Sequence, residues 1–317
     1  MGLLEDFAAW VAYSLMGMGA GAAADALEFF IADVIKVFLL LAAMTFLVGM
    51  IRTFVTPKRV RKWLGGEKEG VGNVLAALLG VPTPFCSCSA VPLFIGFVEA
   101  GVPLGVTFSF LVSAPLVNEI ALALLLGLFG WQVALLYAGT GLLIAVVAGI
   151  VIGRLGLEGE VEGFVYGSTL GKTKEKKFTW GERLEFAKNQ MLGIVKKVGP
   201  FIILGVGLGA LIHGFAPMGF LAEIAGKDNP LAVPVAVLVG VPLYSNAAGT
   251  IPIVQALMDK GMAMGTALAL MMSITALSLP EMIILRKVLK PRLLAIFTGM
   301  LAVSFVIVGL LFNAVIG

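Results

Sequence analysis

The 317-residue chain is 60% hydrophobic and 13% charged, with a mean hydropathy of +1.05, whereas soluble domains carry about 25% charged residues. That excludes an ordinary soluble domain, and the net charge of +3 gives no basis for nucleic-acid binding. Several apolar runs reach the roughly 20 residues that cross a bilayer as a helix, so the chain reads as an all-α polytopic membrane protein.

Residues 1–30 mix apolar side chains with Glu5, Asp6, Asp25 and Glu28 and read as an interfacial lead-in. Glu5 and Asp6 stand where a cleavable signal carries basic residues. A first span at 31–55 leads into the basic loop 56–70, with Lys58, Arg59, Arg61, Lys62 and Lys68. Residues 71–99 form a broken segment around GVPTPFCSCSAVP, because proline removes an N–H and pushes its predecessor out of the α region. Spans follow at 104–129 and 132–153, the second beginning beside Trp131 at an interface. The polar stretch 154–190 carries seven basic residues and six glutamates and reads as a solvated loop leading into an amphipathic helix. A span at 194–215, a second broken segment at 231–258, a span at 262–285, the basic turn 286–292 and a last span at 293–315 complete the chain.

Shifted by 160 residues, the chain matches itself without a gap from Lys36 to Ser113. Identical pairs include Lys36 and Lys196, Gly80 and Gly240, Pro82 and Pro242, Pro92 and Pro252, Gly105 and Gly265, and Ser113 and Ser273. Shared glycines and prolines at one fixed offset indicate a duplication. Four regions result: the lead-in 1–30, a first membrane repeat 31–153, a linker 154–190 and a second repeat 191–317.

Sixteen of the 22 lysines and arginines fall in loops 56–70, 154–190 and 286–292, which the positive-inside rule places in the cytoplasm. An even number of crossings must then separate residue 70 from residue 154. The broken segment therefore enters and leaves on one side as a re-entrant hairpin, leaving three spans per repeat. An odd number of spans makes the repeats inverted. Broken helices meeting near the midplane are where such proteins hold small ligands, since non-helical backbone at that depth must line a cavity or be buried in protein.

Cys86 and Cys88 are the only cysteines and fall at the first broken tip. A disulfide between them would be strained, so they read as thiols, which suit soft metals and metalloids. Packing of a tight tip by small residues is the competing explanation. Ser87 and Ser89 flank them, and Ser245, Asn246 and Thr250 at the second tip offer hydroxyl and amide contacts, or cap helices. Asn118 and Glu119 lie inside an apolar span, where an ionisable group points to function; Glu119 is a candidate proton carrier, with Glu281 as a second. No cofactor is expected, and nucleotide-binding GxxxxGK[ST], HExxH and GxSxG motifs are absent from the sequence.

The stretches TPFCSCSAVPLFIGFVEAGVPLG, SAPLVNEIAL, GVPLYSNAAGTIP and SLPEMI resemble the ArsP/YraQ group of predicted permeases, over about residues 33–315. The resemblance implies an efflux permease of the cytoplasmic membrane for trivalent organoarsenicals or a soft metal, with Cys86 and Cys88 contacting the thiophilic centre. The expectation is therefore a transporter rather than an enzyme. It would work by alternating access on a small-molecule or metalloid substrate in the lipid bilayer, and self-association is compatible with it. Two rivals stand beside it: a permease for an unrelated small solute, and an intramembrane thiol–disulfide protein, whose usual Cys-x-x-Cys spacing is missing.

Overall fold

A computed structural model describes residues 3–17, 19, 21–54, 70–81, 87–163, 165, 179–215, 229, 231–243, 250, 254, 255, 257, 258 and 261–316. Among these the chain is almost wholly helical, and four helices are long and apolar enough to cross a membrane. Side chains such as Trp131, Leu135 and Leu143 on one of them, and Val303, Ile307 and Leu310 on another, are exposed. A soluble monomer rarely leaves so much apolar surface bare; here it faces lipid.

A short helix α1 (Leu3–Ala9) and a π-helical turn precede α2 (Ala22–Phe54). Tyr13 donates to the Asp25 carboxylate at 2.6 Å and ties this lead-in to α2. The first half continues with α3 (Val71–Gly80), α4 (Ser87–Glu99), α5 (Leu104–Leu116) and α6 (Glu119–Arg154). The second half holds α7 (Trp180–Phe215), α8 (Ala232–Gly240), α9 (Met264–Ala276), α10 (Leu279–Arg286) and α11 (Pro291–Ile316).

Within α6, Gly130 has φ 83° and ψ 171°, a conformation that glycine alone adopts cheaply. A Cβ on Gly141 would lie 2.6 Å from Val117 Cγ2. A straight helix would separate those residues by roughly 35 Å at 1.5 Å per residue. The chain therefore reverses at Gly130, and limb 131–154 runs back along limb 119–129 and α5.

Equivalent positions of the two halves make equivalent contacts. A Cβ on Gly80 would meet Ser113, and one on Gly240 would meet Ser273. Gly105 abuts the backbone of Gly149 and Gly153, while Gly265 abuts Gly309 and Asn313. Small residues let apolar helices approach this closely. The long first helices of the halves, α2 and α7, pack against one another. Their contacts pair Phe38 with Gly199, Phe30 with Gly207, and Thr53 O with Arg183 Nη1 at 3.0 Å, so they run antiparallel. Between the halves, Phe108 packs on Phe297 with ring centroids 5.2 Å apart; within the first half it packs on Phe94 at 5.1 Å.

Candidate functional site

Two spans are interrupted inside the bundle at equivalent positions. The α5 helix, with Pro115 in its last turn, ends at Val117, whose N–H still reaches Ser113 O at 2.8 Å. Asn118 then turns to extended backbone and caps α6. Its Oδ1 accepts from Ala121 N at 2.7 Å, and its Nδ2 donates to Pro115 O at 3.2 Å. One side chain thus satisfies polar groups on both sides of the break. Substituting alanine is expected to cost about 1 kcal/mol of stability, the usual value of such a cap. Serine, which can still accept from the helix, should recover part of the thermal midpoint that alanine loses in detergent.

The second break repeats the first with other side chains. Leu277 N–H reaches Ser273 O at 2.8 Å, and α10 restarts after Ser278 with Pro280 in its first turn. Leu279 N–H donates to Val241 O at 2.8 Å, fastening the end of α8 to the break.

The ends of the broken segments can be placed by neighbour contacts. Asn73 Nδ2 donates to Ser109 Oγ at 2.9 Å, and Gly80 sits against Ser113, so α3 and α5 run in the same direction. The α4 helix enters α5 through a short turn containing Gly101 at φ 77°, so it runs back toward the end at which α3 begins. Arg154 lies at that same end, because Gly105 faces Gly153. So does Arg286, which pairs with Glu162 at 3.2 Å just beyond Arg154. Hence α4 and α10, which touch, run toward one end of the bundle, and their first turns lie in its interior.

The expected site residues divide accordingly. Ser87, Cys88 and Ser89 form the first turn of α4, whereas Cys86, Ser245 and Asn246 lie outside the described residues. Thr250 is fully buried. Glu281, in the first turn of α10, is only 2% exposed, while Glu119 is exposed. The carboxylate that shares the bundle interior with the cysteine-bearing helix is therefore Glu281. Among the described residues no group of three or more His, Cys, Asp or Glu could hold a metal ion.

Residues not singled out in the sequence add polar groups to the interior. Asn73 and Ser109 are both buried and bridge α3 to α5. Tyr137 is fully buried and its hydroxyl has no hydrogen-bond partner among the described residues. The Thr275 hydroxyl, beside the second break, lies near it and donates to Met271 O at 2.9 Å. A lone polar atom inside an apolar run was the available signal for each.

Comparison with known proteins points to membrane permeases. The family described as "Predicted permease", ArsP_1, matches residues 22–314. A UPF0718 protein of Methanocaldococcus jannaschii is 22% identical, over 84% of this chain and 89% of its own. UPF0718 protein YraQ of Escherichia coli is 29% identical, over 78% of this chain and 70% of its own. A Streptococcus mutans protein named as a candidate subunit of a two-component membrane permease complex is 27% identical over 61% of this chain and 63% of its own. No solved structure matches the chain.

Proposed function

This chain belongs to the ArsP_1 family of predicted permeases, and from that premise we propose that it exports a trivalent organoarsenical or similar thiophilic species across the cytoplasmic membrane by alternating access. The observation that carries the proposal is the packing of α4 against α10 with both first turns inside the bundle. One brings Cys88 and its neighbours and the other brings Glu281. Soft thiolates bind the metalloid, and a buried carboxylate is suited to carry a proton.

Alternating access requires two comparable halves. The antiparallel pairing of α2 with α7 and the equivalent glycine contacts support inverted repeats. The common direction of α3 and α5 supports a first broken segment that enters and leaves on one face. Broken helices leave backbone groups for a ligand at midplane, and Asn118, Ser245, Asn246 and Thr250 are the polar groups proposed to line the route.

Everted membrane vesicles test the assignment. Vesicles holding the unaltered chain are expected to accumulate methylarsenite, and those holding Cys86→Ser/Cys88→Ser should not. Equal accumulation by both would remove the cysteines from the site and leave a permease for an unrelated solute.

A further inference from the structure

The segment following Arg154 does not leave the bundle at once. Leu157, Val161 and Val165 are buried, and residues 158–160 form a single 3-10 turn. Val161 then pairs with Leu289 in an antiparallel bridge. Glu162 N–H donates to Val288 O at 2.8 Å, and Lys290 N–H donates to Glu160 O at 2.8 Å. Around this bridge Lys290 Nζ donates to Gly159 O at 2.7 Å, Arg286 pairs with Glu162 at 3.2 Å, and Arg292 pairs with Glu160 at 3.8 Å. Val288 and Leu289 are buried beneath it.

The bridge joins the two halves, since residues 157–162 continue from α6 and residues 286–292 connect α10 to α11. At the equivalent turn of the first half, Leu128, Gly130 and Trp131 are exposed. The molecule is therefore strapped at the face that carries its basic turns and open at the corresponding turn on the other. The strap holds the end of α10, whose first turn carries Glu281.

We propose that residues 157–162 are a clasp that keeps the basic face closed over the inner ends of α4 and α10, and that the clasp must part for the site to open toward that face. This rests on the alternating-access reading above. Its ion pairs are partly exposed and individually weak, so the hold comes mainly from the backbone pairing and the buried Val161, Val165 and Leu289. Such a contact is strong enough to bias two states and weak enough to reopen.

A disulfide gives a direct test. The hydrogen bonds flank Val161 and Leu289 as a non-hydrogen-bonded antiparallel pair, whose Cα atoms lie about 4.5 Å apart, within the range a disulfide spans. Val161→Cys/Leu289→Cys is combined with Cys86→Ser, Cys88→Ser and a reporter, Ser278→Cys, at the buried second break. Everted vesicles are treated with a membrane-impermeant maleimide, and labelling at position 278 is read by peptide mass spectrometry. Oxidation is expected to slow labelling about tenfold relative to the same protein reduced, with the reduced form serving as the folding control. Glu160→Gln/Glu162→Gln, in the reporter chain without the added pair, should speed labelling several-fold. Labelling that is the same in oxidised and reduced protein overturns the clasp. So does methylarsenite transport that continues unchanged with the pair oxidised in a chain retaining Cys86 and Cys88. Labelling that follows the disulfide, in a protein that does not transport methylarsenite, supports the clasp and removes only the arsenical substrate.

Discussion

Gly105→Leu and Gly265→Leu are each expected to destabilise the protein by at least 1–3 kcal/mol, roughly the cost of overpacking a close contact, and to lower its thermal midpoint in detergent by several degrees. A Cβ on Gly105 would lie 2.8 Å from Gly153 Cα and also against the Gly149 carbonyl, and one on Gly265 would lie 2.6 Å from Asn313 N. The obstructing atoms are backbone, so no side-chain rotation relieves the clash; the helices themselves must move apart. The hydrogen bonds across these seams depend on the same approach. Asn73 reaches Ser109, and Asn313 Oδ1 accepts from Thr266 N at 3.2 Å while its Nδ2 donates to Thr266 Oγ1 at 3.1 Å. Gly139→Leu is the control: nothing lies within 4 Å of its Cβ position. Leucine there gains helix propensity worth up to about 0.8 kcal/mol, and the midpoint should hold or rise. Equal losses at all three positions would show that close approach is not what these glycines supply.

Glu281→Gln is expected to reduce proton-driven transport about tenfold or more, or 1.4 kcal/mol or more in the barrier, without loss of stability. Glutamine keeps the shape and some hydrogen-bonding capacity of the carboxyl while removing a charge that costs about 2.5–3.5 kcal/mol to place at bilayer depth. It cannot take up and release a proton in this range, so residual transport should ignore an imposed pH gradient. Glu119→Gln should leave both rate and gradient dependence intact, because Glu119 is exposed rather than in the interior. Gradient dependence surviving Glu281→Gln and lost in Glu119→Gln would reverse the assignment.

The sequence carries the coarse architecture openly and the interior only in part. Hydropathy and Trp131 mark the spans 104–129 and 132–153, and the chain reverses between them at Gly130. The breaks at 117–118 and 277–278 interrupt the stretches read from the sequence as continuous spans 104–129 and 262–285; Pro115 and Pro280 stand beside them, but proline is also tolerated inside membrane helices, so composition alone does not locate an interruption. Glu119 opens a long uncharged run while Glu281 lies five residues from Arg286, so the sequence favours the wrong one as the buried carboxylate; which of them is buried depends on the helix face turned inward, and that is set by packing. The first span is likewise longer than its apolar run, since α2 starts at Ala22 and takes in Asp25 and Glu28. The bond from Asn73 to Ser109 and the pairing of Val161 with Leu289 join distant stretches whose local patterns, a lone asparagine in an apolar helix and a polar loop, do not reveal their partners. The cysteine-bearing stretch stands out in the sequence for the opposite reason: two thiols and three prolines lie together over a few residues.

The central claim is that the first broken segment binds a thiophilic ligand through Cys86 and Cys88. Its most direct test is the shift in thermal midpoint of the purified protein with methylarsenite, As(III), Cu(I) or Zn(II), set beside Cys86→Ser/Cys88→Ser. Ligand at 100 times its dissociation constant should add about 2.7 kcal/mol, a shift of several degrees that the double variant lacks. A shift of equal size in both proteins, or none with any of the four, would contradict a thiol site and return the cysteines to packing.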